Sequence, residues 1–487
     1  MELDTAICER ARLARDPRFD GRFFIGVLTT GIYCRPVCPA RSPLSSNIRY
    51  FATASAAAEA GFRPCLRCRP ETAPGSPAWR GTSATVSRAL RLIEQGDADQ
   101  SGVEKLADRL GVTSRHLRRL FLDQIGASPA TVAATRRLQL AKRLIDETPL
   151  PFAEIAFASG FRSIRRFNDA IRETYGRAPS ELRRRSQEEQ PMGAGALTLR
   201  LGYRPPYDWE TILGYLGPRC IPGVEQVSRG HYRRSIRVEG RPAILDVSKA
   251  RRGHALVLEL AGLDKPVRLP TVVASVRRQF DLDADPADIR RIFTGDPELE
   301  PRLKQRTGLR IPGAWDPFEL GVRAILGQQI SVAGATTLAG RLAARFGEAL
   351  PGAGSDAPEQ LFPTPEMLAD ADVESIGLPR ARAATVRTFA GAVASGEIVL
   401  DGSADPDQVY QAVCALPGIG DWTAQYLLLR GLGTPDAFPA GDLGLRKALG
   451  NGQPVPERAV AERAQAWRPW RGYAAMLLWN VSLPTTD

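Results

Sequence analysis

The chain has 487 residues, a formal net charge of +11 and a hydrophobic content of 43%. That length suits three or four domains, and with no run of about twenty apolar residues a membrane-spanning helix is excluded from the expectation. The positive charge, mostly arginine, points to a polyanionic partner, nucleic acid first; a GC-rich coding sequence is the other source of such a composition.

Residues 1–72 carry five of the seven cysteines, four of them paired as Cys34-x3-Cys38 and Cys65-x2-Cys68. Short-spaced thiol pairs separated by a loop close a tetrahedral site around Zn²⁺. The competing readings are two disulfides or four inert buried thiols. The opening Met1-Glu2-Leu3-Asp4 has neither the basic nor the apolar segment of a secretory leader, and the chain is cysteine-poor, so a reducing cytoplasm and a metal are expected. Cys8, Cys220 and Cys414 are isolated and read as small apolar residues. Arg35, Arg41, Arg63, Arg67 and Arg69 surround the thiols, a setting that keeps thiolates ionised and attracts phosphate. Alternation predicts strands at 22–28 and 47–51, and 54–60 reads as a helix. Such a small α+β core needs its metal.

The stretches Thr29-Thr30-Gly31-Ile32-Tyr33-Cys34-Arg35-Pro36-Val37-Cys38 and Phe62-Arg63-Pro64-Cys65-Leu66-Arg67-Cys68 resemble the N-terminal domain of the Ada family of alkylation-repair proteins. The resemblance implies one Zn²⁺ held by Cys34, Cys38, Cys65 and Cys68. It also implies that Cys34 takes the methyl group of a methyl phosphotriester in DNA, with Arg35 and Arg67 against the DNA. Loss of negative charge at the thiolate centre on methylation would lower repulsion from DNA and strengthen promoter binding.

A Pro/Gly/Ser linker is expected at 70–82. Residues 83–186 are helical and repeat internally: Leu106–Phe121 with Gly126-Ala127-Ser128-Pro129, then Ile155–Phe167 with Gly176-Arg177-Ala178-Pro179. Ser114 and Ser163 are placed to start second helices, arginine on one face and Leu or Phe on the other. Two such units resemble the all-α DNA-binding domain of the AraC family. That implies recognition helices near 114–121 and 163–171 in successive major grooves, DNA contacts from Arg115, His116, Arg118, Arg162, Arg165 and Arg166, and RNA polymerase as partner of an activator. For each arginine the other reading is a solvated face.

After a second linker at 186–196, residues 197–283 read as an α+β subdomain, TBP-like in the related family, with strands at 197–201, 232–238, 243–247 and 255–260 and a helix at 209–216. His231 and His254 are read as structural. Residues 284–487 are helical, with segments near 317–327, 332–346, 381–395, 406–415, 421–431, 443–449, 456–466 and 472–480, and a Gly/Pro-rich loop at 349–358.

Within them, Leu416-Pro417-Gly418-Ile419-Gly420-Asp421-Trp422 makes a tight hairpin whose bare amides can seat a phosphate, and about twenty residues on Asp442 puts one carboxylate at a helix start. Together with Gly321–Ala333 and Trp467–Tyr473 these resemble the helix-hairpin-helix AlkA family of 3-methyladenine DNA glycosylases, from about 197 to 480. The resemblance implies Asp442 as the catalytic carboxylate and Trp422, Tyr426 and Trp479 as the base pocket. It also implies Gly418 and Gly420 on the DNA backbone, with a monovalent cation at the hairpin carbonyls. The chemistry is coherent. A flipped-out, cationic alkylated base stacks on electron-rich rings, and a carboxylate stabilises the oxocarbenium-like sugar. The two tryptophans could instead be core, and Asp442 a plain helix cap. Where lyase relatives carry a lysine this chain has Trp422, which implies a monofunctional enzyme, and Cys414 alone cannot hold an iron–sulfur cluster. The family's leucine wedge falls on Gln329, so Gln329 or Ile330 fills the gap in the stack. The Pro-Cys-His-Arg core of Ada's own C-terminal methyltransferase is absent.

The expectation is a multidomain, mainly α protein. It would be a monomeric, cytoplasmic, nucleoid-associated fusion that acts on double-stranded DNA as methylation-responsive activator and alkylbase glycosylase. The rival readings are a regulator whose C-terminal half only binds damaged DNA, and a repair enzyme whose middle domain is a nonspecific clamp.

Overall fold

The computed structural model describes residues 3–75, 83–183, 196–263, 267–350 and 358–479. The linkers expected at 70–82 and 186–196, the loop at 349–358 and the last residue of the 472–480 helix fall largely or wholly outside them. No helix among the described residues is long and apolar enough to cross a membrane.

The N-terminal unit is a four-stranded sheet in the order Ile48–Phe51, Phe24–Val27, Ile32–Cys34, Arg63–Pro64. Its last pair is parallel, with Ile32 opposite Arg63 and Tyr33 opposite Pro64. That register carries the end of one strand, Cys34, to the start of the Cys65–Cys68 turn. The apolar core is only Phe24, Tyr33, Phe51, Ala54 and Ala57, with a smaller cluster around Cys8, Phe23 and Ile25. The sequence reading missed the helix Thr5–Leu13, which Asp4 caps by accepting from the Ala6 and Ile7 amides.

Two helix-turn-helix units follow. In the first, Asp97–Arg109 leads to Ser114–Ile125; in the second, Phe152–Ser159 leads to Ile164–Tyr175; the helix Pro129–Glu147 joins them. Ser163 caps its helix as expected, accepting from the Arg166 amide. The first unit corrects the expectation for Ser114: the cap is Thr113, whose side chain accepts from the His116 amide, and Ser114 is already helical. Both recognition helices end at a left-handed glycine, Gly126 and Gly176.

The third unit is an antiparallel sheet ordered Leu197–Gly202, Ala255–Ala261, Arg241–Lys249, His231–Val238, Glu225–Ser228. The helix Trp209–Leu216 carries a buried face of Trp209, Ile212, Leu213, Tyr215 and Leu216. The edge strand Glu225–Ser228 lacks apolar alternation and was not legible. His231 Nδ1 lies 2.7 Å from Asp246 Oδ1 on the neighbouring strand, a structural role as read. Helices then predominate as far as Trp479, including Pro270–Gln279, Pro286–Phe293 and Leu299–Gln305, which the sequence reading did not separate.

The units form one packed body. The second helix-turn-helix core (Ile155, Phe167, Ile171) is continuous with the C-terminal core, while the first (Val86, Leu106, Leu117, Phe121) stands apart. The cysteine unit is clamped by Arg22 to Asp285 and Asp288 and by Arg204 Nε donating to the Asp20 carbonyl at 3.1 Å. A buried ionic cluster lies between it and the Pro129–Glu147 helix. Lys142 Nζ is 2.5 Å from Asp146 and 3.7 Å from Glu71; Arg69, next to Cys68, reaches Asp146 at 3.0 Å and Glu147 at 3.3 Å. Glu147 in turn accepts from the Arg200 amide of the third unit at 3.1 Å. Removing one charge from such a cluster strands its partners in a low-dielectric site, so it fixes the mutual orientation of three units.

Candidate metal centre and active site

The four cysteine sulfurs lie within 4.8 Å of one another. A tetrahedral zinc with Zn–S near 2.3 Å asks for about 3.8 Å between sulfurs, so a small contraction completes the site, and four thiolates are a zinc donor set. The donors are not equivalent. Cys68 Sγ accepts from the Arg35 amide at 3.3 Å. Cys38 and Cys65 are stabilised as thiolates by the Ala40 and Cys68 amides respectively, on top of larger effects of the neighbouring thiols. Cys34 is raised, chiefly by its sulfur neighbours. Cys34, Cys38 and Cys65 border a groove of about 520 Å³; Cys68 does not. Of the expected basic contacts, Arg41, Arg63 and Arg67 are exposed. Arg35 is not: its Nε donates to Asp20 at 2.8 Å and its Nη1 to the Cys68 carbonyl at 3.0 Å and to Thr72 at 2.6 Å. Its guanidinium holds the cysteine loops together, which argues against the DNA contact expected of it.

On the recognition helices Arg115, Arg118, Arg165 and Arg166 are exposed. Arg162 differs from expectation, since its guanidinium donates to the Asp99 and Gln100 carbonyls at 3.2 and 2.6 Å and ties the two units together. His116 Nδ1 meets Arg119 at 3.2 Å.

The second centre is built on Asp442. It caps the helix Leu443–Leu449, Oδ1 accepting from the Leu445 amide at 3.0 Å. The same carboxylate accepts two indole N–H groups: Trp422 Nε1 to Oδ2 at 2.8 Å and Trp479 Nε1 to Oδ1 at 2.9 Å. Trp422 stacks on Tyr426 at 5.2 Å and 11°, and Tyr426 meets Trp479 edge-on at 6.3 Å. The three rings and Asp442 line a cavity of about 330 Å³. All four residues named from sequence therefore converge. A Cβ on Gly444 would stand 3.0 Å from Asp442 Oδ1 and 3.4 Å from Trp479 Cδ1, so this glycine keeps room for the carboxylate–indole contact.

Sequence reasoning missed the floor of the cavity. Tyr215 comes from the helix of the sheet subdomain and Arg219 from the 3-10 turn Gly217–Arg219 that follows it, some two hundred residues away, and Arg430 from the π-helical turn Leu427–Gly431. Arg430 sits 4.8 Å from the Tyr215 ring and 5.2 Å from the Tyr426 ring and donates to the Tyr426 hydroxyl. Burial favours the neutral Tyr426 phenol, but the Arg430 and Arg219 charges outweigh it and hold the group down to about 8. Nothing in a one-dimensional pattern links these positions. Gln425, one turn after Trp422, was also overlooked: its Oε1 accepts from the Phe438 amide at 3.0 Å and anchors the loop that presents Asp442.

The hairpin leads directly into the helix Asp421–Tyr426 that carries two of the rings. Gly418 has φ +84°, and a Cβ there would lie 2.2 Å from Thr385 Oγ1. Gly418→Ala is expected to destabilise the hairpin by roughly 2–3 kcal/mol, seen as a lowered thermal transition with reduced DNA affinity. Gly420 caps the Asp421–Tyr426 helix with no side chain over its amides. Gln328 Nε2 donates to the Gly418 carbonyl at 3.0 Å and to Thr423 at 3.3 Å, locking the hairpin to the 327–331 turn. In that turn Gln329 is exposed with φ +59°, and Ile330, 40% exposed, borders the cavity.

A carboxylate under two indoles, beside an aromatic cavity and a glycine hairpin, defines a helix-hairpin-helix DNA glycosylase, here joined to a four-cysteine zinc unit and paired helix-turn-helix units. Family models match in the same order: the metal binding domain of Ada over 7–71, a helix-turn-helix domain over 106–185, the AlkA N-terminal domain over 198–316 and the HhH-GPD superfamily of base excision DNA repair proteins over 322–471. A probable bifunctional transcriptional activator/DNA repair enzyme AlkA of Mycobacterium tuberculosis is 43% identical over 485 residues, 99% of this chain and 97% of its own. The chain belongs to that family of bifunctional transcriptional activator/DNA repair enzymes. DNA-3-methyladenine glycosylase 2 of Escherichia coli is 38% identical over 284 residues, 57% of this chain and 95% of its own. The solved 3-methyladenine DNA glycosylase of Archaeoglobus fulgidus shares the fold of the C-terminal part, with a TM-score of 0.52 at 24% identity over 58% of this chain and 99% of its own.

Proposed function

We propose that the C-terminal half excises alkylated bases of the 3-methyladenine type from double-stranded DNA by hydrolysis of the N-glycosidic bond, with Asp442 as its catalytic carboxylate. The observation that carries this reading is the pair of indole N–H bonds to Asp442 at the edge of an aromatic cavity. The flipped base stacks among Trp422, Tyr426 and Trp479, where positive charge on the base is attracted by the rings. Asp442 faces the sugar and stabilises the oxocarbenium-like charge as the bond opens. An alkylated base leaves without a strong general acid. Trp422 stands where a lyase would need an amine, which supports a monofunctional reaction. Gly418 and Gly420 seat the DNA backbone, and Gln329 or Ile330 fills the space left by the base. A monovalent cation at the hairpin would share the Gly418 carbonyl with Gln328.

In the N-terminal half, bound zinc keeps the thiolates ionised at neutral pH. Cys34 then attacks the methyl carbon of a methyl phosphotriester: an S–C bond forms, the C–O bond breaks, and the electron pair stays on the phosphate oxygen as a restored diester. The backbone amides supplied to Cys38, Cys65 and Cys68 damp those sulfurs and support Cys34 as the nucleophile. Arg67 flanks it, and Arg115, Arg118, Arg165 and Arg166 read promoter DNA for an activator that recruits RNA polymerase. We place the divisions at 1–72, 83–186, 197–283 and 284–487, and the protein as a monomer in the cytoplasm on the nucleoid.

The test is release of free base from methylated duplex DNA by the full, zinc-loaded chain. Release of 3-methyladenine is expected. A folded protein that binds this DNA and releases nothing overturns the enzyme reading in favour of a regulator whose C-terminal half only binds damage.

A further inference from the structure

The groove over Cys34 has a far wall that belongs to another domain. Thr174, Tyr175, Gly176 and Arg177 line it, the end of the second recognition helix and the residues just after. The approach is close: the strand Arg63–Pro64 packs against the Ile164–Tyr175 helix, and Arg63 Nη1 lies 3.8 Å from where a Cβ on Gly176 would stand. The two walls are fixed from beneath. Tyr33, immediately before Cys34, is 2% exposed and Tyr175, the last residue of the helix, is 4% exposed. The Lys142 ammonium lies 5.9 Å from the Tyr175 ring and pairs with Glu71, three residues after Cys68. The groove's charge has one sign. No carboxylate lines it among the described residues, while Arg63, Arg67 and Arg177 border it, exposed and without an ion pair there.

We propose that this groove is a single seat for a DNA backbone, shared by the cysteine unit and the second helix-turn-helix unit. A strand leaving the major groove read by the Ile164–Tyr175 helix crosses Cys34, held by Arg63 and Arg67 on one side and Arg177 on the other. A methyl phosphotriester is itself uncharged, so these cations grip the diesters that flank it and set its methyl carbon over the sulfur. Repair and promoter reading then occur at a fixed spacing on one duplex, and Arg177, outside the set of arginines expected from the repeat, belongs to the methyl-acceptor site. The chemistry of this inference rests on the reading of Cys34 as acceptor; its DNA contact does not.

The full, zinc-loaded protein tests it as wild type, Arg177→Ala and Arg67→Ala in two assays. One follows methyl transfer to Cys34 from duplex DNA carrying methyl phosphotriesters, by intact mass. The other follows binding to unmodified duplex DNA across a salt series. Arg177→Ala is expected to slow transfer about tenfold and to reduce the salt slope by about one, with zinc content unchanged. A wild-type rate and slope in Arg177→Ala, with Arg67→Ala defective, overturns the shared seat. If the wild type transfers no methyl, the acceptor reading of Cys34 fails instead; the salt series then decides alone, and an unchanged slope in Arg177→Ala overturns the seat.

Discussion

Asp442→Asn is expected to lower the single-turnover release of 3-methyladenine about 10³-fold while leaving the protein folded. The magnitude follows from removing a preorganised charge aimed at the developing cation, which costs about 4 kcal/mol of transition-state stabilisation. The fold survives because asparagine caps helices as well as aspartate does, so its oxygen can still accept from the Leu445 amide. The indoles respond differently. The carboxylate offers each of Trp422 and Trp479 its own oxygen, whereas asparagine has one acceptor and turns an N–H₂ toward the other indole. That mismatch costs about 1–2 kcal/mol and lowers the thermal transition by a few degrees. Trp479→Phe keeps a ring in the pocket and removes one donor, so its expected loss is only about tenfold. Rates measured with enzyme in excess, beside melting curves, check all three points. Release by Asp442→Asn at the wild-type rate sinks the assignment of this carboxylate.

The hairpin and the carboxylate at Asp442 were legible because each sits in a local pattern, whereas Trp422, Tyr426 and Trp479 were placed at the pocket through the family resemblance. The hairpin glycines are punctuation, Trp422 and Tyr426 are one helical turn apart, and Asp442 follows Pro439-Ala440-Gly441 at a helix start. The four cysteines were legible for the same reason, and the Arg63–Pro64 register that unites them needed no foresight once both pairs were seen. What escaped is nonlocal. Tyr215 and Arg219 reach the cavity from a different subdomain, and the helix Trp209–Leu216 that carries Tyr215 and leads to Arg219 reads as an ordinary amphipathic one. Arg35 and Arg162 have the sequence context of DNA contacts, but their guanidinium groups are absorbed by Asp20 and by the Asp99 and Gln100 carbonyls. Composition could not reveal that, since a paired and an unpaired arginine look alike in sequence. The Thr113 cap was misread by one residue because threonine and serine stand side by side and either can accept from an amide two or three residues on.

The zinc ligands should part company on mutation. Cys65→Ser is expected to lose the metal and unfold residues 3–75, seen as lost zinc stoichiometry and rapid proteolysis of that segment. A structural zinc contributes about 10–16 kcal/mol to folding, and the apolar core around Phe24, Tyr33 and Phe51 is too small to replace it. Cys65 is also buried at 8% exposure, so a serine there brings an unmatched hydroxyl into the interior. Cys34→Ser is expected to keep zinc, more weakly. Cys34 is only half-buried beside the groove, and three thiolates with a fourth oxygen ligand are an acceptable zinc set. This variant should gain no methyl by intact mass, yet bind unmodified duplex DNA at least as tightly as the wild type, since the centre has lost one negative charge. Excision should persist in both variants at moderate temperature, because Asp442 and its indoles sit in the large C-terminal core. Stability of the middle domain should fall in Cys65→Ser alone: unfolding residues 3–75 withdraws Glu71 and Arg69 from the buried cluster and leaves Lys142 with Asp146 as its one close carboxylate. Equal zinc loss in the two variants would show that Cys34 is as structural as its partners, and the methyl would then have to be sought on another sulfur.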